Sequence, residues 1–82
     1  MSAPVREDAW RQWIVVCPLR SWKEKHGVFT LSELGSRLGA TTITVNAWLL
    51  GLQFPRQENM ERISKVTGIT SKEFRTWFNQ RP

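Results

Sequence analysis

The stretch from Leu31 to Trp48 constrains this chain more than any other, because it sets two short apolar stripes on either side of one glycine. Leu31, Leu34, Gly35 and Leu38 recur at helical spacing and so share one face. Gly39 follows where the chain must turn sharply, and glycine reaches the left-handed backbone region without steric strain. Thr41 then offers a side-chain oxygen to the open amides of a second short helix, on which Val45 and Trp48 form the apolar stripe. A residue as small as Gly35 lets the two helices approach closely. The layout predicts a helix-turn-helix, the motif whose second helix suits the major groove of DNA.

With 82 residues the chain has room for one domain and a modest core that needs neither metal nor disulfide. Cys17 is the single cysteine and His26 the single histidine, so an intrachain disulfide and a zinc site both lack partners. Two readings of Cys17 stand: a small buried apolar residue, or a reactive thiol. Apolar runs such as Trp13-Ile14-Val15-Val16 fall far short of the ~20 residues that span a bilayer. No signal-peptide pattern opens the chain. The expectation is a soluble protein of a reducing compartment, cytoplasmic and nucleoid-associated, without a membrane partner. Twelve Lys and Arg against seven Asp and Glu leave a formal charge of +5, which favours polyanionic partners. One histidine, one cysteine and no paired carboxylates at useful spacing supply no catalytic constellation. Neither an enzyme nor a cofactor nor a bound metal is expected.

Helical signals recur along the whole chain. Ala9, Trp10, Trp13, Ile14 and Cys17 mark a first helix over Glu7 to Val16, with Arg6, Glu7, Arg11 and Gln12 on its other face. Pro18 breaks that pattern and starts a helix to His26, with Leu19 and Trp22 inward and Gly27 as its stop. Thr30 and Glu33 form a capping box before the Leu31–Leu38 segment. The helix after the turn runs from about Thr42 to Leu50 and stops at Gly51. The loop Gly51 to Pro55 carries Phe54, expected to fold back on the core. Gln57 to Thr67 presents Met60, Ile63, Ser64 and Val66, and ends at Gly68. A second box, Thr70 and Glu73, introduces a last helix from Ser71 to about Gln80, with Phe74, Trp77 and Phe78 on one side. No strand pattern appears, so the chain is predicted to be all-α, with five or six short helices.

From Pro18 to Phe74 the sequence resembles the lambda-repressor-like (Cro-type, XRE-like) helix-turn-helix domains of phage and bacterial regulators. The residues that carry the resemblance are Leu19-x-x-Trp22-Lys23, Gly27, Leu34-Gly35-x-x-Leu38-Gly39 and Val45-x-x-Trp48-x-x-Gly51-x-x-x-Pro55. They continue through Ile63-x-x-x-Thr67-Gly68-Ile69-Thr70, and the spacing from Gly39 to Pro55 is the most specific part. The resemblance implies a compact five-helix bundle over residues 18–80, with residues 1–17 as an aromatic-rich N-terminal helical extension. It implies a DNA-reading unit that works as a dimer on palindromic operators. Three positions depart from the family pattern: Leu31 stands where glutamine commonly touches phosphate, Leu49 where an acidic residue is common, and Met1 to Cys17 lie outside it.

Carried onto this chain, the family's base-facing positions fall on Thr41, Thr42, Ile43, Asn46 and Ala47. No charged residue lies between Gly39 and Gln53, so a bidentate arginine on guanine is excluded there. The chemistry present suits A·T-rich sequence: Ile43 and threonine methyls against thymine methyl groups, Asn46 against an adenine edge. Thin direct readout leaves part of the selectivity to DNA shape. Lys23, Lys25, Arg37, Thr44 and Arg56 are the phosphate candidates, with the Thr41 and Thr42 hydroxyls and the amides opening the second helix. For each cation the alternative is a solvated face. Trp22, Leu34, Leu38, Val45 and Trp48 fall on inward stripes and are read as core.

Two aromatic groups, Trp10-Trp13-Ile14 and Phe74-Trp77-Phe78, exceed what a small bundle hides easily. Phe74, Trp77 and Phe78 are therefore expected to form a homodimer interface that sets two reading helices about 34 Å apart. The competing arrangement packs the first helix over the last. Function is read as sequence-specific transcriptional regulation by a small repressor-type protein on double-stranded DNA, with a further protein partner (antirepressor or polymerase) left open. Two alternatives are an architectural or recombination accessory protein with low sequence preference, and an adaptor whose helix-turn-helix binds protein.

Overall fold

The computed structural model describes residues 4–82, with side chains from Asp8 onward; Met1 to Ala3 of the expected extension, and the Arg6 and Glu7 side chains assigned to its polar face, lie outside the described residues. Six helices follow in order: α1 (Pro4–Val15), α2 (Pro18–Lys25), α3 (Leu31–Leu38), α4 (Thr42–Leu49), α5 (Gln57–Thr67) and α6 (Ser71–Asn79). No strand occurs among the described residues. The first helix starts earlier than its apolar pattern, at Pro4, a residue preset for a first helical turn.

Backbone chemistry explains the breaks. Cys17 takes φ −57° and ψ 128°, the extended geometry forced on a residue before proline, so α1 cannot run on into α2. The expected capping box at Thr30 is only half made. Thr30 accepts the Glu33 amide at 3.1 Å, but the Glu33 carboxylate turns instead to Arg37 at 3.2 Å. At Thr70 the box is complete: its hydroxyl accepts the Glu73 amide at 3.0 Å, and its own amide donates to Glu73 Oε1 at 3.0 Å.

α3 packs against α4 and α5, and α6 against α2 and α5. Leu19, Val28, Leu34, Leu38, Val45, Trp48, Leu49, Ile63 and Phe74 are buried at the centre. The Leu49 side chain belongs to the interior. Val66 differs from expectation: it stands 40% exposed near the end of α5. Trp22 is half-buried and stacks on His26 with ring centroids 4.5 Å apart.

The aromatic surplus is resolved inside the molecule. Trp13 of α1 and Trp77 of α6 lie parallel, 4.0 Å between centroids and 4° between planes. Each indole N–H donates to the other residue's backbone carbonyl at 2.7 Å. Phe54 does fold back, meeting Phe74 and Phe78 edge-on at 5.6 and 5.4 Å, with the Arg75 guanidinium over its ring, 4.2 Å from the centroid. Phe74 is fully buried, Trp77 is 4% exposed and Phe78 is half-buried. Of the three residues expected at a dimer interface, Phe74 and Trp77 pack in the core of the single chain and Phe78 lies partly exposed against it, and the first helix covers the last.

Candidate nucleic-acid interface

The α3–α4 turn is built as the glycine spacing requires. Gly39 has φ 68°, in the left-handed region, and the Ala40 amide closes the turn on Gly35 O at 2.9 Å. Gly35 is buried where a Cβ would run into the Ala40 carbonyl oxygen, so α3 meets the backbone of the turn directly. Thr41 caps α4 by accepting the Thr44 amide at 3.2 Å, and it donates its own proton to Thr44 Oγ1 at 3.0 Å. The Thr41 hydroxyl is thereby committed within the chain. The Thr44 hydroxyl accepts that bond and keeps its own proton to donate.

α4 divides cleanly. Val45, Trp48 and Leu49 are buried, Thr44 and Ala47 are half-buried, and Thr42, Ile43 and Asn46 stand in solvent, Ile43 at 81% exposure. Residues 42, 43 and 46 sit three or four apart or adjacent, so these side chains form one outward patch with Ala47 at its edge. Thr41 precedes the helix, exposed but spent on its cap.

The candidate cations differ in what holds them. Arg37 pairs with Glu33 one turn back, an exposed i,i+4 bridge that contributes little and exchanges readily. Lys23 is half-buried and its Nζ donates to Phe29 O at 3.2 Å, tying down the loop between α2 and α3. Lys25 and Arg56 are exposed. Arg56 occupies the N-cap position of α5 without a side-chain capping bond.

Three residues near the motif escaped sequence reasoning. Arg62 of α5 reaches the carbonyls of Leu38 and Gly39, a contact across more than twenty positions that no local pattern reveals. Phe29 and Leu52 are 81% and 66% exposed, in the loops before α3 and after α4. Loop residues follow no period, so nothing in the sequence assigned them an inside or an outside.

Cys17 is buried in the core, and burial pushes its thiol pKa up, against the smaller opposing effects of the Arg20 and Leu19 amides and the Arg20 charge. That environment keeps the thiol protonated and favours the apolar reading. His26 is exposed, with Nδ1 3.2 Å from Trp22 O. Among the described residues no group of three or more His, Cys, Asp or Glu is placed to hold a metal ion, and no helix is long and apolar enough to cross a membrane. The chain matches no protein-family model, no curated protein and no solved structure.

Proposed function

We propose that this protein is a sequence-selective DNA-binding transcriptional regulator of the small phage or prokaryotic repressor type, reading the major groove with α4. The observation that carries the reading is the outward patch of Thr42, Ile43 and Asn46 on a helix joined to α3 by a left-handed glycine turn. In this view α2 to α6 form a lambda-repressor-like unit and α1 is an added brace. Asn46 supplies an adenine-edge contact of about 1–3 kcal/mol, and the Ile43 side chain and Thr42 methyl supply weaker contacts to thymine. Thr44, Lys25 and Arg56 hold phosphates, joined by Arg37 when it exchanges Glu33 for DNA. Two copies on a palindromic operator, in the nucleoid, complete the reading. The surface that pairs them is one other than the packed Phe74 and Trp77.

The test is selection of bound sequences from random duplex DNA at near-physiological salt, with recovered sites aligned for symmetry. A palindromic, A·T-leaning consensus that is lost in Thr42→Ala or Asn46→Ala supports the reading. Binding without a consensus, fading steeply as salt rises, replaces it with a low-preference architectural protein. A second reading has an observation of its own. Ile43 and Leu52 expose apolar side chains within a stretch without charge, and Phe29 exposes another in the loop before α3, which suits a protein partner. Absence of duplex binding at low salt favours that adaptor.

A further inference from the structure

The turn between α3 and α4 sets where α4 points, and one side chain from outside the motif is fitted to it. Arg62 lies on the exposed side of α5, yet its Nη1 reaches back to the carbonyl oxygens of Leu38 at 3.5 Å and Gly39 at 3.4 Å. These carbonyls end α3, where unpaired acceptors and the negative end of the helix dipole both favour a cation. Gly39 suits the position by its φ of 68°, and a Cβ there would push the Arg62 guanidinium aside. On the other side of the turn, Gly35 has no room for a side chain against Ala40. The turn is therefore gripped from within by Gly35 and from α5 by Arg62.

We propose that Arg62 is a positioning residue for DNA reading: by capping the end of α3 it fixes the direction in which α4 leaves the turn. This rests on the DNA-binding reading above. A helix free to rock keeps its attraction for phosphate, which tolerates small displacements. It loses alignment with base edges, where hydrogen bonds weaken steeply with angle. Arg62 thus acts on selectivity more than on total affinity, without touching a base.

The experiment compares wild type, Arg62→Gln and Arg62→Lys, each checked for folding by far-UV circular dichroism. The first readout is amide hydrogen exchange without DNA at Ala40, whose amide closes the turn, against Phe74, whose amide donates to Thr70 O in α6. The second is the ratio of affinities for the selected site and for random duplex at one salt concentration. Arg62→Gln is expected to speed exchange at Ala40 about fivefold relative to Phe74, and to lower the selectivity ratio by a similar factor. Arg62→Lys restores most of both. Equal losses on selected and random duplex with unchanged exchange make Arg62 a phosphate contact and overturn the proposal. Unchanged exchange and an unchanged ratio overturn it as well. If the wild-type protein selects no site, the DNA reading falls, and exchange at Ala40 still decides whether Arg62 holds the turn.

Discussion

Replacing Trp77 tests the account of the core most directly. Its ring is 4% exposed and lies 4.0 Å from that of Trp13, and its Nε1–H donates to the Trp13 carbonyl. Truncating a buried tryptophan to alanine removes about 3–5 kcal/mol. A domain of this length has roughly 4–12 kcal/mol in total, so Trp77→Ala is expected to lose about a quarter of it or more. Trp77→Phe keeps a ring and drops the donor, leaving the Trp13 carbonyl unpaired, for a loss of about 1–3 kcal/mol.

The reciprocal geometry then yields a sharper number. Each indole N–H bonds the other residue's backbone carbonyl, and that acceptor survives substitution of its side chain. Each single variant therefore loses one hydrogen bond, and the double variant loses both additively. The coupling in a Trp13→Phe, Trp77→Phe cycle reports ring against ring alone, at most about 0.5–1.5 kcal/mol. Urea unfolding followed by far-UV circular dichroism measures it without relying on the fluorescence being altered. A coupling above about 3 kcal/mol refutes the independence of the two hydrogen bonds. The same variants address assembly by sedimentation: wild type and Trp77→Phe are expected to share one association state. Dissociation of an otherwise folded Trp77→Phe protein would return Trp77 to an interface and refute its assignment to the core.

Four further outcomes are expected. Gly68→Ala, at φ 82° with nothing within 4 Å of its added Cβ, is expected to lose only the left-handed backbone penalty of about 1–2 kcal/mol; Gly39→Ala must also displace Arg62, so thermal melts rank it lower. The amide and hydroxyl of Thr70 hold the Glu73 carboxyl below its ordinary value of 4.5, so its contribution is fully present above that value and is lost as pH falls through the lowered folded value. The gap in urea midpoint between wild type and Glu73→Gln is expected to be constant above pH 4.5 and to close on further acidification. Cys17 is expected to resist a thiol reagent at pH 8 until urea unfolds the chain, since burial both shields it and raises its pKa. Asn46→Ala is expected to change stability by less than about 0.5 kcal/mol, because the side chain is exposed, and to weaken binding to a selected site by about 1–3 kcal/mol.

The legible parts of the fold were those governed by local rules. Apolar spacing located the six helices of the described residues, and Gly39, Thr41 and Thr70 behaved as their positions demanded because turn and cap chemistry acts within four residues. Thr30 marks the edge of that legibility: the cap formed, but Arg37 competed successfully for Glu33. The aromatic surplus was visible in the sequence, while its destination was not. Whether Trp77 meets Trp13 of its own chain or of a second copy depends on where α1 lands, sixty-four positions away. At the candidate site, the outward side of α4 was legible from the inward stripe of Val45 and Trp48. Arg62 was not, because it sits on a polar face and its partners are backbone carbonyls, which carry no residue signature.

If α4 reads DNA as proposed, its lack of charge places an unusual demand on the rest of the molecule. Methyl contacts and a single amide give small discrimination energies, and small energies survive only if the helix that delivers them does not move. α4 is held at both ends by side chains from elsewhere. Arg62 grips the turn where it begins. At its exit, Gly51 is buried against the Trp13 ring so closely that a Cβ would collide with it, and the Arg81 guanidinium donates to the Gly51 carbonyl. On the proposed reading, the α1 extension therefore contributes to DNA selectivity through Gly51 without approaching the groove. The two roles separate experimentally because phosphate contacts set the slope of affinity against salt, whereas alignment of α4 sets the preference among sequences. Trp13→Phe is accordingly expected to reduce discrimination between selected and random duplex while leaving the salt slope unchanged. A change in slope instead would mean that α1 meets the DNA backbone itself.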